Sequence, residues 1–416
     1  MKILISAYSC EPGRGSERGV GWNVAREVAK RHEVWVLTRP DESKEAIEAE
    51  LAKNPVPNLH FVYFTLPFWQ DSMSLGQSGA MQMHYYLWQI QAYFVAKRLH
   101  KDIDFDVMHH VTFVKYSAPS LISLLPAPFI WGPVGGGESA PPKFWDAFSW
   151  RANAYEIARD TVRTIGQNDP LVGLTIRNCA VVRATTEDTA KRLHKMGAQQ
   201  VDIVPEVGLL DEEIADLHQY PLPESRPVRF ISMGRLLHWK GFHLGIRAFA
   251  AANLPDAEFW VVGDGPELEN LQAIAADCGV TSQVKLWGRL PREETLEKLG
   301  ESHVLVHPSL HDSGGWVCIE AMAIGRPVVC LDLGGPAIQV TENTGFKITA
   351  EDPDKTIQDM ASAMKQLAED ADLRVAMGTA GRRLVDENYS WKVVGERLDR
   401  LYQKTAATTR SNTAVS

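Results

Sequence analysis

The chain of 416 residues lacks the cysteine patterns that bind zinc or form a disulfide framework. Its five cysteines are scattered, odd in number and never spaced as Cys-x-x-Cys, so reduced thiols are expected. No run of about 18 apolar residues is present, so no membrane-spanning helix is expected. The opening residues lack the long apolar core of a signal peptide. These absences favour a cytoplasmic protein without a structural metal.

The chain also lacks an excess of basic residues, and its net charge is −9. Residues 1–205 carry 22 basic and 21 acidic side chains, whereas residues 206–416 carry 21 and 31. This difference is consistent with two domains that meet different partners. The near-neutral first half is the better candidate for contact with an anionic membrane. The alternative is ordinary variation on solvated faces. No nucleic-acid partner is expected.

Short apolar runs alternate with helical patterns along the whole chain. Such alternation predicts parallel sheets with helices on both faces. The predicted strands of the first half are Ile3 to Ala7, Val34 to Thr38, Leu59 to Thr65, Val107 to His110, Pro128 to Trp131 and Ala180 to Ala184. Those of the second half are Val228 to Met233, Glu258 to Val262, Val284 to Trp287, Val304 to His307 and Val328 to Leu331.

A proline-rich stretch, Pro221 to Pro227, interrupts this alternation and indicates a linker. We therefore predict two doubly wound α/β domains, residues 1–210 and 211–387, with a last helix at about 388–405. Ligands of such sheets bind outside the carboxyl ends of the strands. A glycine-rich loop, Gly13 to Gly21, is predicted after the first strand.

Two motifs of the second half suit a bound diphosphate. In the first, Asp312 is followed by Gly314 and Gly315, and Glu320 lies in an apolar helical pattern. A glycine loop at a helix N-terminus is an anion site, because backbone N–H groups and the helix dipole point the same way.

The second motif is GRLLHWKG, which carries Arg235 and Lys240 after a predicted strand. These cations can stabilise a departing diphosphate. An ordinary surface loop is the alternative for this motif taken alone.

Together the motifs resemble the family-4 retaining glycosyltransferases of GT-B fold, whose signature is Glu-x7-Glu. Asp312 stands in place of the first Glu, so the family's sugar preference does not transfer. The resemblance implies that Arg235 and Lys240 bind the donor diphosphate, that Asp312 lies beside the donor sugar and that Glu320 binds the ribose. The further donor-binding residues that it implies are Gly15, Gly234, Gly263, Leu290, Gly314, Gly315, Trp316 and Val317.

In the first half the resemblance is weaker. Members of the family have a histidine near the reacting centre, at the end of the strand that corresponds to DVMHH in this chain. This makes His110 the preferred catalytic candidate, with His109 behind it. Glu17, His109, Gly135 and Gly136 are assigned to the acceptor side. The resemblance also places the last helix, Trp391 to Lys404, on the first domain. Most aromatic residues between Phe61 and Tyr93 are expected to pack in a core.

The function that the resemblance implies is retaining transfer of a sugar, from a UDP- or GDP-sugar most readily, to a hydroxyl of a glycan or lipid-linked acceptor. Bacterial polysaccharide synthesis is the expected setting. No cofactor or metal is implied, and peripheral membrane contact through the first domain is allowed. The alternatives are a nucleotide-sugar epimerase, a phosphorylase-like enzyme of the same fold, and a non-catalytic nucleotide-sugar-binding scaffold.

Overall fold

The computed structural model describes residues 1–69, 79–205, 207–224 and 226–413. The chain divides into two compact units. The first contains Met1–Gly137, Ala158–Gly208 and Trp391–Ser416, and the second contains Glu138–Ile157 and Leu209–Ser390. Over the described residues, no helix has both the length and the low polarity that crossing a membrane requires.

The first unit is built on a parallel sheet of seven strands in the order β3-β2-β1-β4-β5-β6-β7. Its strands are β1 Lys2–Ala7, β2 Glu33–Thr38, β3 Leu59–Tyr63, β4 Val107–Thr112, β5 Phe129–Val134, β6 Val181–Ala184 and β7 Asp202–Ile203. Its helices include α1 Ser16–Ala29, α2 Pro40–Lys53, α3 Gly79–Ile103, α4 Trp150–Gln167, α5 Pro170–Asn178 and α6 Glu187–Lys195; α4 begins in the second unit.

The second unit has a parallel sheet of six strands in the order β10-β9-β8-β11-β12-β13. Its strands are β8 Val228–Met233, β9 Ala257–Val262, β10 Val284–Gly288, β11 Val304–His307, β12 Val328–Leu331 and β13 Gly345–Ile348. Its helices are α7 Asp211–His218, α8 Phe242–Ala252, α9 Leu268–Asp277, α10 Arg292–Gly300, α11 Trp316–Ile324, α12 Gly334–Gln339, α13 Pro353–Glu369 and α14 Ala371–Asn388. The last helix, α15 Trp391–Thr413, belongs to the first unit.

The inner strands of both sheets are mostly apolar because helices cover both of their faces. In β1, for example, every residue from Ile3 to Ala7 is buried. The strand order reverses between β1 and β4 in the first unit and between β8 and β11 in the second. Loops that leave the carboxyl ends of such strands diverge and open a crevice, which is where doubly wound sheets bind ligands. The structure therefore confirms the predicted fold class.

Several predicted boundaries are wrong in detail. Helix α1 begins at Ser16, so Gly19 and Gly21 lie in a helix and not in the predicted loop. A side chain at Gly19 would meet the Arg14 carbonyl oxygen at 2.0 Å. These glycines allow the helix to pack closely on the preceding loop. Glycines at this spacing also occur in flexible loops, so the sequence alone did not distinguish the two.

The division of the chain also differs from the predicted one. Residues 138–157 fall in the second unit, although the sequence assigned them to the first. The first unit's second segment ends at Gly208, before the proline-rich stretch that was predicted to be the linker. The sequence missed two strands, β7 and β13, each of which lies at the edge of its sheet.

The aromatic stretch forms part of α3 and the strand before it. Tyr85 and Trp88 are buried in the core of the first unit, as expected, and Trp88 stacks on Phe64 at 4.6 Å between ring centroids. Phe68 is instead exposed. Part of the stretch lies outside the described residues.

Gly241 fixes the path of the loop between β8 and α8. Its φ is +66°, and an added Cβ would lie 1.9 Å from the Pro308 carbonyl oxygen. Two loops of the second unit therefore touch at a point where only glycine fits. Lys240, one of the predicted site residues, is its neighbour in the chain.

We expect Gly241→Ala to lower the free energy of unfolding by about 3 kcal/mol, because the φ and the backbone clash both oppose a side chain. Gly279 is the matched control, with a φ of +71° and open space around its Cβ position. Gly279→Ala should cost only about 1 kcal/mol. Urea unfolding of both variants measures the difference. Equal losses would show that the contact at Pro308 is unimportant.

Candidate functional site

Asp312 and Lys240 form an ion pair at the carboxyl ends of β8 and β11. The Lys240 Nζ donates to Asp312 Oδ2 at 2.6 Å, and both side chains are mostly buried. Leu310 N–H donates to the Trp239 carbonyl at 2.8 Å, which ties the two loops together beside the pair. The structure thus brings together two residues that are 72 positions apart in the sequence.

His307, at the end of β11, is a further partner of Asp312. Its Nε2 lies 3.1 Å from Asp312 Oδ2. Burial lowers the pKa of His307, although Asp312 opposes this shift. The ring is therefore neutral near pH 7, and its Nε2–H donates to the carboxylate. The sequence analysis missed His307, although its place at the end of a strand five residues before Asp312 is a recognisable signal.

The other oxygen of Asp312 binds the glycine loop. Oδ1 accepts hydrogen bonds from the N–H groups of Gly314 and Gly315, at 3.2 Å and 3.3 Å. Those groups were predicted to face the sugar and phosphates of a donor. In this structure the protein's own carboxylate accepts from both groups, and their contact with a donor stays a prediction. The Val317 N–H, in the first turn of α11, has no acceptor among the described residues.

The glycine loop packs without space for side chains. Gly315 has a φ of +61°, and its Cβ would lie 2.8 Å from Gln339 Oε1. The Gly314 carbonyl accepts a hydrogen bond from the Gln339 side chain. Trp316 follows as the first residue of α11 and is partly exposed. The N-terminus of this helix is therefore held firmly against α12, which positions its backbone dipoles.

A pocket of about 510 Å³ lies at the carboxyl ends of β8, β9 and β10. The predicted residues Gly234, Arg235, Gly263 and Leu290 all line it. The sequence analysis missed the other residues of its lining, which are Val262, Asp264, Arg289 and Thr295. The volume is in the range of small-molecule sites.

Arg235 brings a positive charge to this pocket, whose lining also contains one carboxylate, that of Asp264. Its side chain is exposed, and it makes no hydrogen bond or ion pair within the described part of the chain. Arg289, on the loop after β10, is likewise exposed and unpaired among those residues. Two free guanidinium groups around one cavity favour an anionic ligand.

Close backbone packing shapes the wall of the pocket. Gly263 has a φ of +145°, and its Cβ would meet the Gly234 carbonyl oxygen at 1.8 Å. The Gly263 N–H donates to the Gly288 carbonyl at 2.8 Å. The glycines thus allow three neighbouring loops to approach one another, which leaves room for a ligand near the backbone.

Glu320 lies in α11 and is buried. Its Oε1 accepts a hydrogen bond from Arg292 at 2.7 Å, and Arg292 also lies 3.6 Å from Glu213. Burial raises the pKa of Glu320, while the charge of Arg292 opposes the shift. Oε2 of Glu320 has no partner among the described residues and remains able to accept a hydrogen bond from a ligand. Arg292 was not predicted, because it belongs to no motif that the sequence analysis recognised.

A buried carboxylate supports both loops from behind. Glu156 is fully buried, and its Oε1 lies 2.9 Å from His238 Nε2 and 3.4 Å from His311 Nε2. Trp239 stacks between Tyr155 and His311. His238 lies two residues before Lys240, and His311 lies directly before Asp312. The cluster therefore restrains both elements of the site.

The two histidines of the first unit that were predicted for the site are both buried. His109 is buried between the Tyr402 hydroxyl, at 2.7 Å, and the Gly132 carbonyl, at 2.6 Å. His110 is fully buried, and its Nε2 lies 3.1 Å from the Thr112 carbonyl oxygen. Burial lowers their pKa values to about 3 and about 4. The role of His110 at the reacting centre stays a prediction.

The remaining predicted residues of the first unit lie around one loop, 113–117. The Glu17 carboxylate accepts from the Phe113 N–H at 3.1 Å. The Gly135 N–H donates to the Val114 carbonyl at 2.9 Å. Gly136, with a φ of +88°, and Gly15 leave open space at their Cβ positions. The structure thus brings Glu17 and Gly135 together at the carboxyl end of β4.

Within the described residues, no group of three or more His, Cys, Asp or Glu side chains is arranged to hold a metal ion. The cationic side chains of the site are Arg235, Arg289 and Lys240.

We expect Asp312→Asn to lower the free energy of unfolding by about 2 kcal/mol at pH 7, because it leaves Lys240 without its counter-ion. Burial raises the pKa of Asp312, but the His307 hydrogen bond and the Lys240 charge lower it more, to well below its usual range. Because the pKa of Asp312 is lower in the folded chain than in the unfolded chain, its ionised form stabilises the fold. This stabilisation is fully present above the unfolded-state pKa of about 3.9 and is lost as the pH falls below that pKa.

Urea unfolding between pH 8 and pH 3 measures this effect. The difference between the wild type and Asp312→Asn should stay constant down to about pH 4 and narrow below it. Asp277→Asn, at an exposed position, should change stability by less than about 0.5 kcal/mol. A difference between the wild type and Asp312→Asn that did not narrow in acid would contradict the account.

Known sequences are similar mainly to the second half of the chain. Residues 214–384 match the profile of the family described as glycosyl transferases group 1. The chain is 33% identical over 178 residues to a GDP-mannose-dependent phosphatidylinositol monomannoside mannosyltransferase of Corynebacterium glutamicum, covering 41% of this chain and 45% of that protein. It is 30% identical over 229 residues to the 2-deoxystreptamine glucosyltransferase of Streptomyces kanamyceticus, covering 51% and 57%. The matches thus span about half the length of these relatives.

Solved structures are similar over nearly the whole chain. Sucrose-phosphate synthase from Thermosynechococcus elongatus has a TM-score of 0.66 and 17% identity, with 98% of this chain and 99% of that chain covered. HepE from Anabaena, in complex with UDP and glucose, has a TM-score of 0.58 and 18% identity, with 97% and 100% covered. The fold is that of the GT-B glycosyltransferases. The chain thus has the GT-B fold, and its residues 214–384 are similar to the glycosyl transferases of group 1.

Proposed function

We propose that this protein transfers a sugar from a nucleotide-diphosphate sugar to a hydroxyl group of a glycan or lipid-linked acceptor. The observation that carries the proposal is the pocket lined by Gly234, Arg235, Gly263 and Leu290, with its unpaired guanidinium groups. The loop after β8 carries both Arg235, which lines this pocket, and Lys240, which pairs with Asp312. The match to group 1 glycosyltransferases covers the same residues.

In this reaction the bond between the anomeric carbon and the diphosphate oxygen breaks, and negative charge grows on that oxygen. Arg235 is free to bind the diphosphate through its planar fork. An ammonium group has three donors, and Asp312 uses one of those on Lys240. Lys240 can therefore bind a phosphate oxygen without leaving its partner. Cations held in place before the reaction stabilise the transition state without reorganisation.

We further propose that the sugar is transferred with retention of anomeric configuration, without a bound metal and in the cytoplasm. Arg235 and Lys240 supply the charge that a divalent cation would otherwise provide. The second unit would hold the donor, and the first would hold the acceptor. The relatives support a UDP- or GDP-sugar, since one is named as GDP-mannose-dependent and a similar structure contains UDP.

We expect Arg235→Ala to reduce turnover of the preferred donor about 100-fold or more, because it removes a cation from the leaving group. The measurement is transfer to an acceptor extract from a panel of UDP-, GDP-, ADP- and dTDP-sugars, with and without EDTA. Arg247→Ala, which removes an exposed arginine from α8, should retain full activity. Product NMR then gives the anomeric configuration.

Three results would contradict the proposal. Full activity of Arg235→Ala would remove the pocket from the reaction. Isomerised or phosphorolysed donor in place of a transferred sugar would indicate an epimerase or a phosphorylase-like enzyme. Donor binding without turnover across all acceptors would favour a non-catalytic scaffold.

We expect Glu320→Ala to weaken nucleoside diphosphate binding about tenfold, because it removes a buried acceptor for the ribose hydroxyls. Isothermal titration with a ribonucleoside diphosphate and its 2′,3′-dideoxy analogue tests this assignment. The wild type should prefer the ribonucleotide, and the variant should bind both equally. A variant that kept the preference would show that Glu320 does not read the ribose.

A further inference from the structure

A second cavity, of about 710 Å³, lies within the first unit at the carboxyl end of β4. One wall is the loop 113–118, and another is the beginning of α3. The third is the last turn of α4 with the start of α5. The lining comprises Gln82, Tyr85, Tyr86, Lys115, Ser117, Ala118, Val162, Thr164, Ile165, Gly166, Asn168, Asp169 and Pro170.

The walls of this cavity are held rigidly. A Cβ at Gly166 would lie 2.3 Å from the Ser117 carbonyl oxygen, so α4 touches the loop backbone directly. Gln167 Nε2 donates to the Tyr116 hydroxyl at 2.7 Å. The Gly135 carbonyl accepts from the Tyr116 N–H at 3.2 Å. A site formed before its ligand arrives binds more tightly than one that must first become ordered.

One end of the cavity carries a cation. Lys115 is partly buried, and its Nζ donates to the Gln82 side-chain oxygen at 2.6 Å. It makes no ion pair within 4.0 Å among the described residues. Burial lowers the pKa of Lys115, although the charge of Glu17 opposes this shift. An anionic ligand beside the ammonium group would offset the cost of its burial.

The carboxylate of the cavity does not compete for that cation. Asp169 Oδ2 accepts from the Tyr86 hydroxyl at 2.7 Å, and Oδ1 accepts from the Leu171 N–H at 2.8 Å. Both oxygens are therefore engaged in holding α3 and the beginning of α5. The opposite wall is apolar and open, because Val162 is 65% exposed and Ile165 is 69% exposed.

We propose that this cavity binds the acceptor, and that the acceptor is a lipid phosphate carrying the sugar or hydroxyl to be glycosylated. The phosphate would bind Lys115, and the lipid chain would cover Val162 and Ile165. A lipid phosphate has an anion next to an aliphatic chain. The cavity has the complementary arrangement, with the Lys115 cation at one end and exposed apolar side chains on the opposite wall. This inference rests on the proposed function, since it supplies the second substrate of that reaction.

The test is isothermal titration of the full chain with geranyl phosphate, geraniol and glucose 1-phosphate. The wild type should bind geranyl phosphate at least about tenfold more tightly than either of the other probes. Lys115→Met should weaken geranyl phosphate binding about tenfold or more and leave geraniol binding unchanged. Lys115→Arg, which keeps the charge, should stay within about threefold of the wild type.

Two further variants complete the test. Replacement of Val162 and Ile165 by serine should weaken geranyl phosphate binding about fivefold. Lys53→Met, at an exposed position on α2, should change nothing. Equal binding of geranyl phosphate by Lys115→Met and the wild type, with unchanged melting temperature, would overturn the proposal. So would glucose 1-phosphate binding as tightly as geranyl phosphate, which would indicate a soluble sugar phosphate instead.

Nucleoside diphosphate binding to the same samples separates this proposal from the proposed function. Suppose that nucleotide binding is intact and that Lys115→Met binds geranyl phosphate as tightly as the wild type does. This result would overturn the acceptor site alone. If the wild type bound no nucleoside diphosphate at all, the proposed function would be overturned instead.

Discussion

The candidate site of the second unit depends on the environment of one carboxylate. Asp312 receives hydrogen bonds from Lys240, His307 and the N–H groups of Gly314 and Gly315. These contacts fix the position of a cation, a strand end and the N-terminus of α11 at once. Removing any partner would leave a mostly buried charge or donor without compensation, which costs more than the contact itself gains. Asp312 therefore organises the site as well as carrying charge.

Two layers surround this carboxylate. Behind it, Glu156 restrains the same loops through His238 and His311. In front, glycines allow loops to approach at backbone distance, as at Gly263 and Gly234. The result is a rigid rim with two arginines that have no partner in the described part of the chain. Fixed loops with free cations are what a site needs when its task is to stabilise charge on a leaving group.

The sequence predicted the fold class because parallel strands buried on both faces read as continuous apolar runs, as in β1 and β8. It also predicted Arg235, Lys240, Asp312 and Glu320, since their motifs have a distinctive spacing. It did not predict that Asp312 would occupy the N–H groups of its own loop, because side-chain direction is not encoded in spacing. Nor did it predict the full burial of His110, since the end of a strand can direct a side chain into the core. Glu156 and Arg292 came from distant segments that only the folded chain brings close.

The central claim is that a diphosphate binds between Arg235 and Lys240. A crystal structure of the chain with a nucleoside diphosphate tests it most directly. The account predicts phosphate oxygens within hydrogen-bonding distance of both the Arg235 guanidinium and the Lys240 ammonium groups, with Asp312 still bound to Lys240. A nucleotide whose phosphates contact neither cation, or that binds elsewhere in the second unit, would contradict it.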